Sequence, residues 1–207
     1  MGIQTADELH IHVENVSRLY TDATGGFPIR LRRGNQYIMV AYHCDTNLIL
    51  TAPFKLRSNM HCMLAYNSIM QRLKDRIMLV DLQIMDNEAS AEYKHFITAE
   101  WGVRYQLVPA HIHHHNAAKG SIRTFKAHFL AILTGVAADF PKYLWDLLLP
   151  QAELTLNLLR QATLNQAMLA WEHFQGVPFK YDATPLCLLG YPLMIHKKAS
   201  TRHSWDF

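Results

Sequence analysis

Two carboxylates stand out by where they fall in the chain. Asp22 closes the strand-like run Ser17–Thr24 (SRLYTDAT), and Asp86 follows the apolar run Leu79–Met85 (LVDLQIM). Tyr20 and Thr21 favour extended backbone, and Gly25-Gly26 followed by Pro28 stops the first run. Two apolar strands that each deliver an acid at their end are how a sheet assembles a divalent-cation site. Taken singly, each acid also reads as an ordinary turn residue. The pair reading requires a fold that makes neighbours of two strands lying 64 residues apart in sequence.

The elements between and after them supply such a fold. Gln36–His43 and Leu48–Phe54 are rich in Tyr, Ile, Val and Leu, with turn residues Cys44-Asp45-Thr46-Asn47 between them. With Ser17–Thr24 they predict a three-stranded antiparallel meander. Ser58 or Asn59 can cap a helix in which Met63, Tyr66, Ile69, Met70, Leu73 and Ile77 recur at helical spacing. Leu79–Met85 is a fourth strand, Ser90–Trp101 a short helix stopped by Gly102, and Val103–Val108 a fifth strand ended by Pro109. Ala117–Gly135 is a helix with Ile122, Phe125, Phe129, Ile132 and Leu133 on one side. Pro141 opens a further helix through Leu149, Pro150 restarts it, and Met168–Phe174 is a last helical piece. Three strands, helix, strand, helix, strand, then helices is the order of an α/β fold of the ribonuclease H kind. Its mixed five-stranded sheet is flanked by helices, and its first and fourth strands lie side by side.

Composition sets the outer bounds. The 207 residues suit one domain with a tail, and the hydrophobic share of 50% supports a sizeable core. A formal net charge of +3 is too small to argue for an anionic partner without local clustering. Three cysteines, Cys44, Cys62 and Cys187, with no CxxC pair, support neither a disulfide framework nor a cysteine zinc site. The opening MGIQTADELHIHVENV lacks the basic-then-apolar pattern of a signal peptide, and no run reaches the ~20 apolar residues of a membrane span. An intracellular protein is expected, divided as a linker remnant over 1–16, a core over 17–160 and a helical and extended tail over 161–207.

The words TDATGGFP at 21–28, GNQYIMVAYHCDTN at 34–47 and DNEAS at 86–90 together resemble the catalytic core of retrotransposon and retroviral integrases. Asn116-Ala117-Ala118 with Ile122-Arg123-Thr124 resembles the helix bearing that family's third carboxylate. The tail TPLCLLGYPLMI resembles the segment after the core in such polyproteins, so the resemblance spans about residues 17–195. It implies a DDE-type phosphoryl transfer on DNA, in which three carboxylates hold two Mg²⁺ or Mn²⁺ ions. Asp22 and Asp86 match the first two carboxylates. It also implies DNA as partner, dimerisation through late helices, here Leu147–Leu159, and residence in the nucleus or in a cytoplasmic retroelement particle.

At the third-carboxylate position this chain has Lys119, 33 residues after Asp86, followed by Gly120. No Asp or Glu occurs from Trp101 to Ala138, so a one-turn slip of the helix does not restore an acid. An ammonium ~4 Å from a divalent ion is repelled by about 8 kcal/mol at an effective dielectric of ~20. Strand-transfer activity is therefore expected to be impaired. Glu88 and the run His113, His114, His115 are the substitutes to weigh; Glu88 also reads as a favourable charge at a helix N-terminus and the histidines as a solvated loop. Arg30, Arg32 and Arg33 in the early loop, and Lys119, Arg123 and Lys126 on one helix face, are the candidate phosphate contacts. Each basic residue alone reads equally well as a solvated surface charge. A non-catalytic nucleic-acid-binding module is the alternative function.

Overall fold

A computed structural model describes residues 16–86, 89–108, 117–184 and 186–191. Its centre is one five-stranded sheet with the spatial order β3-β2-β1-β4-β5. The strands are β1 (Arg18–Ala23), β2 (Tyr37–His43), β3 (Leu48–Phe54), β4 (Leu82–Met85) and β5 (Arg104–Leu107). β1, β2 and β3 form the antiparallel meander. β4 runs parallel to β1, and β5 parallel to β4. The sheet is therefore mixed, with helices on both faces: the α/β, ribonuclease H-like architecture.

The alternation along the strands builds two separate cores. Leu19, Met39, Ala41, Leu48, Leu50 and Met85 point to one face. There they meet α1 (Asn59–Lys74) and α2 (Ala91–Trp101), the crossovers that carry the chain from β3 to β4 and from β4 to β5. Both helices start from a serine in extended conformation: Ser58 accepts from His61 N–H, and Ser90 from Tyr93 N–H. Gly102, at φ 65°, ends α2 in the left-handed conformation. On the other face, Ile38, Val40 and Ile49 meet Ile122, Phe125 and Phe129 of α3 (Ala117–Gly135). Trp145, Leu149, Ala152 and Leu156 complete that core.

β3 is a sheet edge, and α4 (Leu149–Leu158) seals it with side chains. Asn157 Oδ1 accepts from Ile49 N–H at 2.9 Å while its Nδ2 donates to Ile49 O at 2.8 Å. Glu153 Oε2 accepts from Thr51 N–H at 2.7 Å, and Arg72 of α1 donates to Thr51 O and pairs with Glu153. The ladder groups that would otherwise invite another strand are thus satisfied by two buried polar side chains spaced i, i+4 on α4. The chain then passes round this edge. α5 (Ala170–Gln175) puts Ala170 and Phe174 into the core on the α1 face.

Three local expectations are corrected. α1 ends at Lys74, so Ile77 is not on its inward stripe: it is 89% exposed, with φ 58°. Met78 N–H instead donates to Leu73 O, closing the turn. β4 begins at Leu82 rather than Leu79: Leu79 is exposed, and of residues 79–81 Asp81 bonds the neighbouring strand ends, its N–H donating to Ser17 O and its O accepting from Arg104 N–H. The segment after Pro141 is a 3₁₀ helix, Lys142–Leu148, and only from Leu149 does it become α, with Pro150 in the first turn where its missing N–H costs nothing. Trp145 is fully buried in the second core, and Trp101 and Trp171 are half-buried. No helix among the described residues is long and apolar enough to cross a membrane.

Candidate functional site

The parallel pairing of β1 with β4 matches Leu19 to Gln83 and Tyr20 to Ile84. Two further residues along the same register set Asp22 beside Asp86, at the carboxyl ends of adjacent central strands. Leu19 and Met85 belong to the α1-side core, so alternation turns Asp22 and Asp86 toward the α3 face. α3 brings Lys119 there in its first turn. Lys119 Nζ lies 3.3 Å from Asp86 Oδ2, and the two side chains are 39% and 34% exposed. Below the acids, Gln83 Nε2 donates to Thr21 Oγ1 at 2.7 Å, tying β4 to β1 inside the core.

Asp22 is half-buried. Burial pushes its pKa above the usual carboxylate value, and the neighbouring charge of Asp86 adds to the rise. The Ala23 N–H, which donates to Asp22 Oδ1 at 2.7 Å, opposes the shift, as do the cations Lys119 and Arg57. The rise prevails.

Arg57 is a site residue that the sequence did not reveal. Its Nη2 donates to Thr24 O at 3.0 Å and to Ala23 O at 3.3 Å, and its guanidinium lies 5.7 Å from the Tyr37 ring centre. The available signal was topological. A meander returns the end of β3 to the end of the sheet where β1 exits, so a cation just after β3 arrives beside Asp22.

Among the described residues, two carboxylates, one ammonium and one guanidinium meet at this corner, and their formal charges cancel. Two divalent ions need a concentration of negative oxygen ligands, which Asp22 and Asp86 alone do not provide. Among the described residues no group of three or more His, Cys, Asp or Glu side chains could hold a metal ion. The described residues therefore do not fit a two-metal centre by themselves, and no catalytic step is derived through one. Glu88, His113, His114 and His115 lie outside the described residues.

The candidate phosphate contacts fall into two groups. Arg123 and Lys126 are exposed on α3, opposite its buried Ile122, Phe125 and Phe129, and continue the face that Lys119 begins. Arg30, Arg32 and Arg33 are also exposed, but their loop is anchored to the 3₁₀ helix through Arg32 N–H and Tyr143 O. Arg32 and Arg33 line a cleft with Tyr143, Leu144 and Asp146.

No family model and no curated protein matches the chain. Solved structures do. The crystal structure of the catalytic core domain of BIV integrase matches with a TM-score of 0.54 at 13% identity, over 77% of this chain and 93% of that one. A chain of the cryoEM structure of the simian T-cell lymphotropic virus intasome, in complex with PP2A regulatory subunit B56 gamma, matches with a TM-score of 0.59 at 15% identity. That match covers 87% of this chain and 60% of its counterpart. At these identities the likeness is one of fold: the chain has the ribonuclease H-like fold of retroviral integrase catalytic cores.

Proposed function

We propose that this chain is an integrase-type core for DNA integration that has lost metal-dependent strand transfer and keeps the ability to bind DNA. The observation that carries this reading is the Lys119–Asp86 ion pair, formed at the corner where the resemblance calls for a third carboxylate. Lys119 supplies +1 where a two-ion mechanism requires −1. The fold tolerates the exchange because the two cores lie to either side of this corner. Mg²⁺ or Mn²⁺ would be the ions of an intact site, since hard oxygen ligands suit them.

The test is calorimetric titration of Mn²⁺ into the wild type and into Lys119→Glu, beside a nicking and strand-joining assay. The wild type is expected to show neither saturable Mn²⁺ binding nor joining, and Lys119→Glu to regain metal binding. Robust metal-dependent joining by the wild type, abolished by Asp22→Asn, would refute the loss.

The neutral corner together with Lys119, Arg123 and Lys126 also favours the second reading, a purely nucleic-acid-binding module. Affinity that falls steeply with salt and ignores added metal supports it. In either case the partner is DNA, and the setting we assign is the nucleus or a cytoplasmic retroelement particle. A homodimer through the late helices rests on less: Leu148, Leu149, Ala152 and Leu156 are consumed by the chain's own core, leaving Leu147 and Leu159 exposed. Sedimentation at micromolar concentration tests it, with a strict monomer as the contrary result.

A further inference from the structure

β5 is an edge of the sheet, and among the described residues nothing pairs with its outer side. Arg104 N–H and Val108 N–H donate inward, to Asp81 O at 3.2 Å and to Met85 O at 2.9 Å. The two-residue period of a strand therefore turns the N–H and C=O groups of Tyr105 and Leu107 outward. At the opposite edge Glu153 and Asn157 satisfy such groups on β3. Left to themselves, they are a template for one more strand.

The two faces beside this edge differ. On the α1 side, Leu107 and Trp101 pack against the core, and Tyr105, in register with Gln83, is 41% exposed. On the α3 side, the register sets Arg18, Leu82 and Arg104 in one row, with both arginines exposed. Asp81, at the same end of the sheet, is engaged: its carboxylate accepts from Ser17 N–H at 2.9 Å. A strand that fits here is apolar on the α1 side and brings acid to the foot of the sheet.

Residues 8–14, ELHIHVE, have that pattern. Leu9, Ile11 and Val13 alternate with Glu8, His10, His12 and Glu14. Asp7, Glu8 and Glu14 are the acids of residues 1–17, which contain no Lys or Arg. β1, β4 and β5 all run the same way, so a segment that leads into the start of β1 from beyond β5 runs antiparallel to β5. Reach decides the register. Residues 12 to 17 span at most about 17 Å when extended, against roughly 14 Å for the three strand spacings from β1 to the place beyond β5. Residues 14 to 17 span only about 10 Å. Pairing must therefore end near residue 12, with Ile11 opposite Tyr105 and Leu9 opposite Leu107, and Glu14 falls in the crossing below Arg104 and Arg18.

We propose that the outer edge of β5 is the docking surface for the chain's own residues 8–12, which add to the sheet as an antiparallel sixth strand. Leu9 and Ile11 lie beside Leu107, Tyr105 and Trp101, and the Glu14 carboxylate faces the arginine row. The added strand closes the second edge of the sheet as α4 closes the first, and it gives part of the segment expected as a linker a fixed place in the fold.

Hydrogen–deuterium exchange of the full chain, read by mass spectrometry, tests this. The wild type is compared with Ile11→Pro, which removes a backbone donor and interrupts a strand, and with Ile11→Val, which keeps both. Exchange across residues 105–107 is expected to be about tenfold faster in Ile11→Pro than in the wild type, and unchanged in Ile11→Val. The amides of β2, equally protected in all three proteins, show that each is folded. Equal exchange at residues 105–107 in the wild type and Ile11→Pro overturns the proposal. Protection of these residues that is lost from the wild type on dilution also overturns it, because the strand then comes from a second copy.

Discussion

Lys119 Nζ sits 3.3 Å from Asp86 Oδ2, so a helix and the central sheet meet through a cation where two acids already face each other. The pair is more than a third exposed on each side, which limits its worth to fold stability to about 0.2–1 kcal/mol. Its larger consequence is electrostatic.

Lys119→Met is therefore expected to leave the urea midpoint nearly unchanged while lowering affinity for DNA. Removing one cation that neutralises one phosphate should reduce the slope of log affinity against log salt by about one. A filter-binding salt series on both proteins checks this. An unchanged slope would remove Lys119 from the DNA surface.

Asp22 offers a pH test. Its folded-state pKa lies above the ordinary carboxylate value, chiefly through burial. The folded chain thus binds this proton more tightly than the unfolded chain does. The penalty for holding Asp22 ionised is present at neutral pH and is relieved as pH falls through the raised folded pKa. Asp22→Asn removes the penalty and keeps an oxygen to accept from Ala23 N–H. Its Tm should exceed that of the wild type at pH 7, with the gap narrowing toward acid pH. Calorimetric scans across that range decide it; a Tm lowered at pH 7 would contradict the burial argument.

The sealed edge is the most sensitive part of the fold. Glu153→Ala removes the acceptor of Thr51 N–H and the counter-charge of Arg72 together. The loss should be about 2–4 kcal/mol, toward the lower end because the Arg72 side chain is 37% exposed and can rehydrate. Urea unfolding should show a lower midpoint at unchanged slope.

At Ile77 the expectation has the opposite sign. A β-branched residue at φ 58° is strained, and 89% exposure means that little packing compensates. Ile77→Gly should stabilise by up to about 1 kcal/mol, read from the same urea curves.

The meander, the crossover helices, and the neighbouring strand ends bearing Asp22 and Asp86 were all legible in the sequence. Each rests on local periodicity plus one handedness rule for parallel connections. What escaped was tertiary. Arg57 reaches the carbonyls of Ala23 and Thr24 only because β3 turns back to the end of the sheet where β1 leaves it. Ile77 falls in phase with the apolar stripe of α1, but the helix unwinds three residues earlier, and a periodic pattern does not announce its own end. Glu153 and Asn157 interrupt an apolar run at i, i+4. That interruption was the visible trace of their task at the edge of β3, but nothing in the residues themselves named the backbone they would satisfy.

With β3 closed, β5 is the one edge of the sheet, among the described residues, on which copies of this chain could add a strand. A surface that joins to its own kind along one border alone can make a pair and then stops. Ordered, endless stacking of sheets is therefore denied to the folded molecule by two side chains, and a preparation that grows fibrils must first have released Glu153 and Asn157 from β3.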